Sequence, residues 1–130
     1  MIMLKSLQAK DLMIKEFITI GPDALLRNAV KKLVTNRISC MPVVDDTGKL
    51  IGVLSCEDVL NVAFDGYLNT TKVETVMTKN AVTFTPESSL EEIALVISKK
   101  HFHRIPIVEN DKIVGTVSRR DIVKHIFHLD

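Results

Sequence analysis

The chain has no tryptophan, one tyrosine and five phenylalanines, so aromatic residues make up only 5% of its 130 positions. Platforms for stacking single-stranded bases are therefore scarce. Neither sign of charge dominates: 17 Lys and Arg stand against 16 Asp and Glu, a formal net charge of +1. That balance supplies no broad basic field, and nucleic acid is not expected as a partner. No stretch approaches the roughly 18 apolar residues of a membrane span. The opening MIMLKSLQAKDLM is too short in apolar residues and too soon charged for a secretory leader. A cytoplasmic protein is expected, with no membrane partner. The two cysteines, Cys40 and Cys56, match no C-x-x-C or related metal spacing and read as small buried hydrophobes in a reduced chain.

Marks of catalysis are also missing. No Ser-His-Asp or Cys-His arrangement is legible, so neither an enzyme nor a catalytic cofactor is expected. His101 and His103 would share one face of a strand, with His125 and His128 further on, but no Cys or carboxylate pattern completes a ligand set. A surface or phosphate-facing role is expected for them, and no metal.

What the chain does have is a repeat. Pro22 and Pro86 stand 64 residues apart, and the same offset relates Met13 to Met77, Thr19 to Thr83, Leu26 to Leu90, Pro42 to Pro106 and Val44 to Val108. Beyond the second proline the offset falls by one, giving Gly52 and Gly115, Ser55 and Ser118, Asp58 and Asp121. The missing residue lies between DDTGK and ENDK, where a hairpin turn would tolerate it.

Each copy reads β-α-β-β-α. A short β-prone run (FITI, AVTF) leads through a proline to an amphipathic helix, with Leu25, Leu26, Ala29, Val30 and Leu33 in one copy and Leu90, Ile93, Ala94 and Ile97 in the other. Two β-branched runs bent at a polar turn follow, then a second helix beginning near Glu57 or Arg120. The copies span 9–61 and 73–125, with 62–72 as connector. A unit of about 55 residues buries too little alone. Two α/β (α+β) repeats packed sheet against sheet about a pseudo-twofold axis are expected, with ligand clefts along the junction.

The most informative local pattern is Gly52-Val-Leu-Ser55-Cys-Glu-Asp58, echoed by Gly115-Thr-Val-Ser118-Arg-Arg-Asp121. Ser with Asp three residues later is an ordinary helix cap. A helix N-terminus is also a natural phosphate site, and a carboxylate one turn in can accept bonds from paired sugar hydroxyls. The residues leave both roles open. Arg119 and Arg120 at a helix N-terminus oppose its dipole, which an anionic partner would explain.

Two registered copies of this pattern, each after a proline-led hairpin and a Leu12-Met13 or Val76-Met77 lead-in, make the chain resemble a pair of CBS domains, a Bateman module. The resemblance implies a regulatory binding module, here stand-alone, whose ligands are adenosine derivatives: AMP, ADP, ATP, or sometimes S-adenosylmethionine. It implies clefts that mix the copies. One would use Thr116, Ser118, Arg120 and Asp121 with Thr19, Ala24, Ile38, Ser39 and Cys40. The other would use Val53, Ser55 and Asp58 with Thr83, Ser88, Phe102, His103 and Arg104. The pair His103-Arg104 matches a phosphate-contacting pair of adenylate-sensing relatives. Its counterparts Ser39 and Cys40 are uncharged, and Glu57 replaces Arg120, so the clefts are not equivalent. A homodimer through the helices is expected, with Ile122, Val123, Ile126 and Phe127 as apolar residues to spare, and an effector protein that the sequence does not name. The alternatives are a ligand-free structural or dimerisation module, or a sensor of S-adenosylmethionine or a metal ion.

Overall fold

Helix α1 (Leu26–Asn36) buries Leu26, Ala29 and Leu33, and α3 (Leu90–Lys100) buries Leu90, Ile93 and Ile97. These are the stripes expected from the spacing, each at one helical face. The structure is a computed structural model and describes residues 6–64 and 66–127. The two helices start differently. The Ser89 hydroxyl accepts the Glu92 N–H at 3.1 Å, whereas α1 follows Leu25, whose side chain caps nothing. Distant backbone compensates: Leu26 N–H donates to the Thr71 carbonyl at 2.7 Å and Arg27 N–H to that of Leu68 at 3.1 Å. Leu90 N–H donates likewise to Leu7, at 2.9 Å. Part of the connector is thus the N-terminal cap of α1.

Strands β1 (Cys40–Val44) and β2 (Leu50–Ser55) form one antiparallel hairpin, and β3 (Arg104–Glu109) and β4 (Lys112–Ser118) form the other. Both ladders shift register at the same place, Val43/Val44 and Ile107/Val108. The turns differ by the residue missing from the second copy. Asn110 and Asp111 both have positive φ, 53° and 67°, as a tight two-residue turn requires. The longer first turn is held by Asp45, whose Oδ1 accepts from Thr47 N–H, Thr47 Oγ1 and Lys49 N–H.

The leading strand expected in each copy contracts to a single bridge, Ile20 with Val43 and Phe84 with Ile107, both parallel. Pro22 and Pro86 follow within two residues, and a proline supplies no N–H to continue a ladder. Each repeat's regular structure is therefore α-β-β-α, ending in α2 (Cys56–Ala63) or α4 (Arg119–Ile126).

A second segment flanks each hairpin on the other side. Thr78 exchanges two backbone hydrogen bonds with Val53 (2.9 and 3.0 Å), and Ile14 does so with Thr116 (2.8 and 3.0 Å). The chain divides into two compact units, Ile18–Ala81 and Met1–Phe17 with Val82–Asp130. In sequence the lead-in of each copy stands at its own head; in space it completes the hairpin of the other copy. Each unit has its own core. In one, Leu26, Ala29 and Leu33 meet Met41, Val43 and Leu54; in the other, Leu90, Ile93 and Ile97 meet Ile105, Ile107 and Val117. The lead-in residues Val73 and Ala9 are fully buried in these cores.

The approach of the lead-in depends on glycine. A Cβ on Gly52 would lie 2.7 Å from Met77 Sδ and 3.0 Å from the Thr78 carbonyl oxygen; one on Gly115 would lie 2.9 Å from Met13 Sδ and 3.2 Å from the Ile14 oxygen. The cysteines depart from expectation. Cys56 opens α2 and is exposed, and Cys40 at the hairpin's open end is half-buried.

Gly52→Ala and Gly115→Ala should each destabilise by about 1–3 kcal/mol, the scale of overpacking. Gly21→Ala, with open space around its Cβ position, should stay within about 0.5 kcal/mol of wild type. Urea midpoints decide this, and equal midpoints for all three would remove the tight approach. A further expectation concerns acid. The Thr47 hydroxyl and the Lys49 N–H hold the Asp45 carboxyl below its ordinary value. Stability from this turn is therefore fully present above the unfolded carboxylate pKa and is lost as pH falls through the lowered folded one. Asp45→Asn should flatten that part of the acid-unfolding curve, and an unchanged curve would deny the turn this role.

Candidate functional site

In both units a strand ends at a serine and a helix begins on the next residue. Ser55 Oγ accepts the Asp58 N–H at 3.1 Å, and Ser118 Oγ accepts the Asp121 N–H at 3.0 Å. The cap reading of these serines therefore holds in both copies. The carboxylates diverge. Asp58 closes a reciprocal box, its Oδ2 accepting the Ser55 N–H at 2.9 Å. It also accepts the Thr78 hydroxyl, 3.1 Å from Oδ1 and 3.3 Å from Oδ2. Asp121 makes no such box. Its Oδ2 is buried and, among the described residues, is the one buried side-chain oxygen or nitrogen with no hydrogen-bond partner.

The missing hydroxyl partner traces to the lead-ins. Thr78 and Ile14 occupy matching places, each on the residue one before Leu54 or Val117. Threonine brings a hydroxyl to the neighbouring carboxylate; isoleucine has none to bring. An unmet buried acceptor costs about 1–3 kcal/mol, more when charged.

The strand feeding the Asp121 corner is polar where its twin is not. Thr116 is 1% exposed and Ser118 6%, and they are the two buried polar residues of the described chain. Half-buried Arg104 donates from Nη1 to Thr116 Oγ1 at 2.7 Å. The corresponding residues in the other unit are Val53 and Cys40. Arg104 was expected in the cleft of Asp58, yet its observed partner is Thr116, from the set of Asp121. Arg120 is exposed in the first turn of α4, as is Arg119.

The remaining expected residues fall as follows. Thr19, Ala24, Ile38, Ser39, Cys40, Val53, Ser55 and Asp58 belong to the unit Ile18–Ala81; Thr83, Ser88, Phe102, His103, Arg104, Thr116, Ser118, Arg120 and Asp121 belong to the other. Ala24 and Ser88 give their carbonyls to the lead-in amides of Val73 (2.9 Å) and Ala9 (2.8 Å). Ser88 Oγ also accepts the Thr85 N–H at 3.0 Å. The Thr19 carbonyl accepts Lys32 Nζ at 2.9 Å. Ile38 and Phe102 pack against their cores. Ser39 and His103 are exposed, and their carbonyls accept the N–H groups of Cys56 and Arg119. Thr83 is exposed as well. His101 does not share a strand face with His103: it is the left-handed C-cap of α3, φ 57°. Among the described residues no group of three His, Cys, Asp or Glu side chains is placed to hold a metal ion; His128 lies outside them.

Thr78 and Ile14 were missed in the sequence. The signal that could have found them is the Met13–Met77 match, since the very next residue is where the copies differ.

A family model for the CBS domain matches residues 9–65 and 73–128. The chain is 33% identical over 118 residues to the inosine-5'-monophosphate dehydrogenase of Methanocaldococcus jannaschii, covering 90% of this chain and 23% of that protein. It is 29% identical to the L-aspartate semialdehyde sulfurtransferase of the same organism, covering 87% and 22%. The chain spans less than half the length of these curated relatives. Among solved structures it resembles CBSX2 in complex with AMP, with TM-score 0.82, 26% identity, and 93% and 96% of the two chains covered. It also resembles the CBS domain pair of protein MJ0100 in complex with 5'-methylthioadenosine and S-adenosyl-L-methionine, with TM-score 0.80, 27% identity, and 92% and 99% covered.

The two corners should answer differently to the same substitution. Asp58→Ala loses a capping box and the Thr78 bond and should cost about 1–2 kcal/mol. Asp121→Ala removes an orphaned oxygen and should be neutral within about 0.5 kcal/mol, or stabilising. Chemical denaturation of ligand-free protein reads this directly, and equal losses at both positions would contradict the asymmetry.

Proposed function

Because the chain belongs to the CBS domain family, we propose that it is a regulatory module that binds an adenine nucleotide, AMP, ADP or ATP, at the Asp121 corner and passes its occupancy to an effector protein. The observation that carries this reading is the buried, unpartnered Oδ2 of Asp121. An ionised carboxylate can only accept hydrogen bonds, so its complement is a donor such as the paired hydroxyls of a ribose. Hydrogen bonds to a charged group contribute about 1.5–3 kcal/mol each, enough to offset the orphan's cost on binding. Thr116 and Ser118 are buried on the strand that runs into this corner. Arg104, Arg119 and Arg120 make its surroundings cationic, which favours a phosphorylated ligand over a sulfonium one. The complexes of similar structures with AMP, 5'-methylthioadenosine and S-adenosyl-L-methionine support an adenosine moiety as the common element.

Regulation then follows from differential affinity: a ligand that fits one conformation better shifts the population toward it. The role is binding, not catalysis. The exposed thiol of Cys56 fits a reducing, cytoplasmic setting. A homodimer through α2 and α4 completes the proposal. Leu60 and Phe64 in one unit, and Val123 and Phe127 in the other, are all more than half exposed, apolar side chains that a second copy would cover. Ile122 is not available for this, being 4% exposed in the core, and Ile126 packs against that core.

Nucleotide at a hundredfold excess over its dissociation constant should stabilise the protein by about 2.7 kcal/mol. Asp121→Ala should abolish the shift while leaving ligand-free melting in place, and no shift with AMP, ADP or ATP would defeat the reading. Arg104→Ala should weaken AMP by about 1.5–3 kcal/mol and adenosine hardly at all; equal losses would take Arg104 out of phosphate recognition. For the dimer, light scattering at tens of micromolar should give twice the chain mass, reduced to one chain by Phe127→Asp, and a wild-type monomer would count against it.

A further inference from the structure

We infer that Thr78 is an internal stand-in for a ligand hydroxyl, closing the Asp58 corner, and that Ile14 at the matching place keeps the Asp121 corner open, so that each chain takes one nucleotide. This rests on the reading of Asp121 as the nucleotide corner. The Thr78 hydroxyl reaches both oxygens of Asp58, at 3.1 and 3.3 Å, and the Ser55 N–H takes Oδ2 at 2.9 Å. A ribose hydroxyl arriving there would displace a bond already made, and the exchange would gain little. The same chain path runs past the other corner: Ile14 pairs with Thr116 as Thr78 pairs with Val53, and Met13 presses on Gly115 as Met77 presses on Gly52. The side chain differs, Asp121 closes no box with the Ser118 N–H, and its carboxylate oxygen is left buried without a partner. The rest of the closed corner agrees, since Val53 and Cys40 replace Thr116 and Arg104, and Glu57 replaces Arg120. One residue in each lead-in therefore sets whether its corner is filled from within or from solution.

Two variants exchange the states: Thr78→Val opens the Asp58 corner, and Ile14→Thr closes the other. Calorimetry with AMP should give one site per chain for wild type and a second, weaker site for Thr78→Val. Ile14→Thr should lose affinity by about tenfold or more, the equivalent of one hydrogen bond to a charged group. Two equal sites in wild type, or full affinity in Ile14→Thr, would overturn the inference. Melting of ligand-free protein tests the stand-in without any nucleotide. Ile14→Thr should raise the melting temperature by a few degrees and Thr78→Val should lower it. Thr78→Ser, which keeps the hydroxyl, should melt like wild type. The gain should vanish in an Asp121→Ala background and the loss in an Asp58→Ala background. Shifts that persist without the carboxylate would show mere packing and sink the idea. Should AMP bind to no variant, the nucleotide reading fails on that result, and the stand-in is judged by these melting cycles.

Discussion

The outer edge of each hairpin is paired by a lead-in backbone that can come close only because the residue it crosses is glycine. A β-carbon at Gly52 or Gly115 would meet a methionine sulfur and a carbonyl oxygen at or inside contact distance. That approach has three consequences in each unit. It satisfies an edge strand that would otherwise present open hydrogen-bonding groups. It buries Val73 or Ala9 in the core. It also delivers one side chain, Thr78 or Ile14, to the corner where strand passes into helix.

At that corner the same two residue types, serine and aspartate, carry different loads. Ser55 and Asp58 form a closed structural cap, and the threonine makes it self-sufficient. Ser118 still caps its helix, but Asp121 retains an unmet acceptor in a setting that includes Thr116 and Arg104. Natural proteins seldom leave a buried carboxylate oxygen unpaired, and where they do the explanation is usually functional. One corner has thus kept its stability at the expense of an opening, and the other the reverse.

Much of this fold was legible in the chain. The helices came from the spacing of Leu26, Ala29 and Leu33 and of Leu90, Ile93 and Ile97, and the hairpins from β-branched runs around a polar turn. The serine caps came from the three-residue spacing to aspartate. What misled was local: FITI and AVTF have strand composition, yet each pairs through one residue because proline ends the ladder. Cys56 looked like a core residue by type, but it opens a helix toward solvent. His101 seemed to extend a strand, whereas α3 continues to it and ends there in a left-handed turn.

The sequence by itself determined the duplication, the two helices and the hairpin of each copy, and the pair of serine–aspartate corners, because these rest on periodicity and short-range spacing; the family came from the resemblance those motifs carry. It could not determine that the head of each copy completes the other copy's hairpin, since the pairings of Val53 with Thr78 and of Ile14 with Thr116 leave no periodic trace in one chain. Nor could it tell Asp58 from Asp121. The two sit in the same motif, and what separates them is the box that Asp58 closes with the Ser55 N–H and a hydroxyl on Thr78, twenty residues beyond Asp58, that only the folded backbone brings within 3.1 Å of that carboxylate.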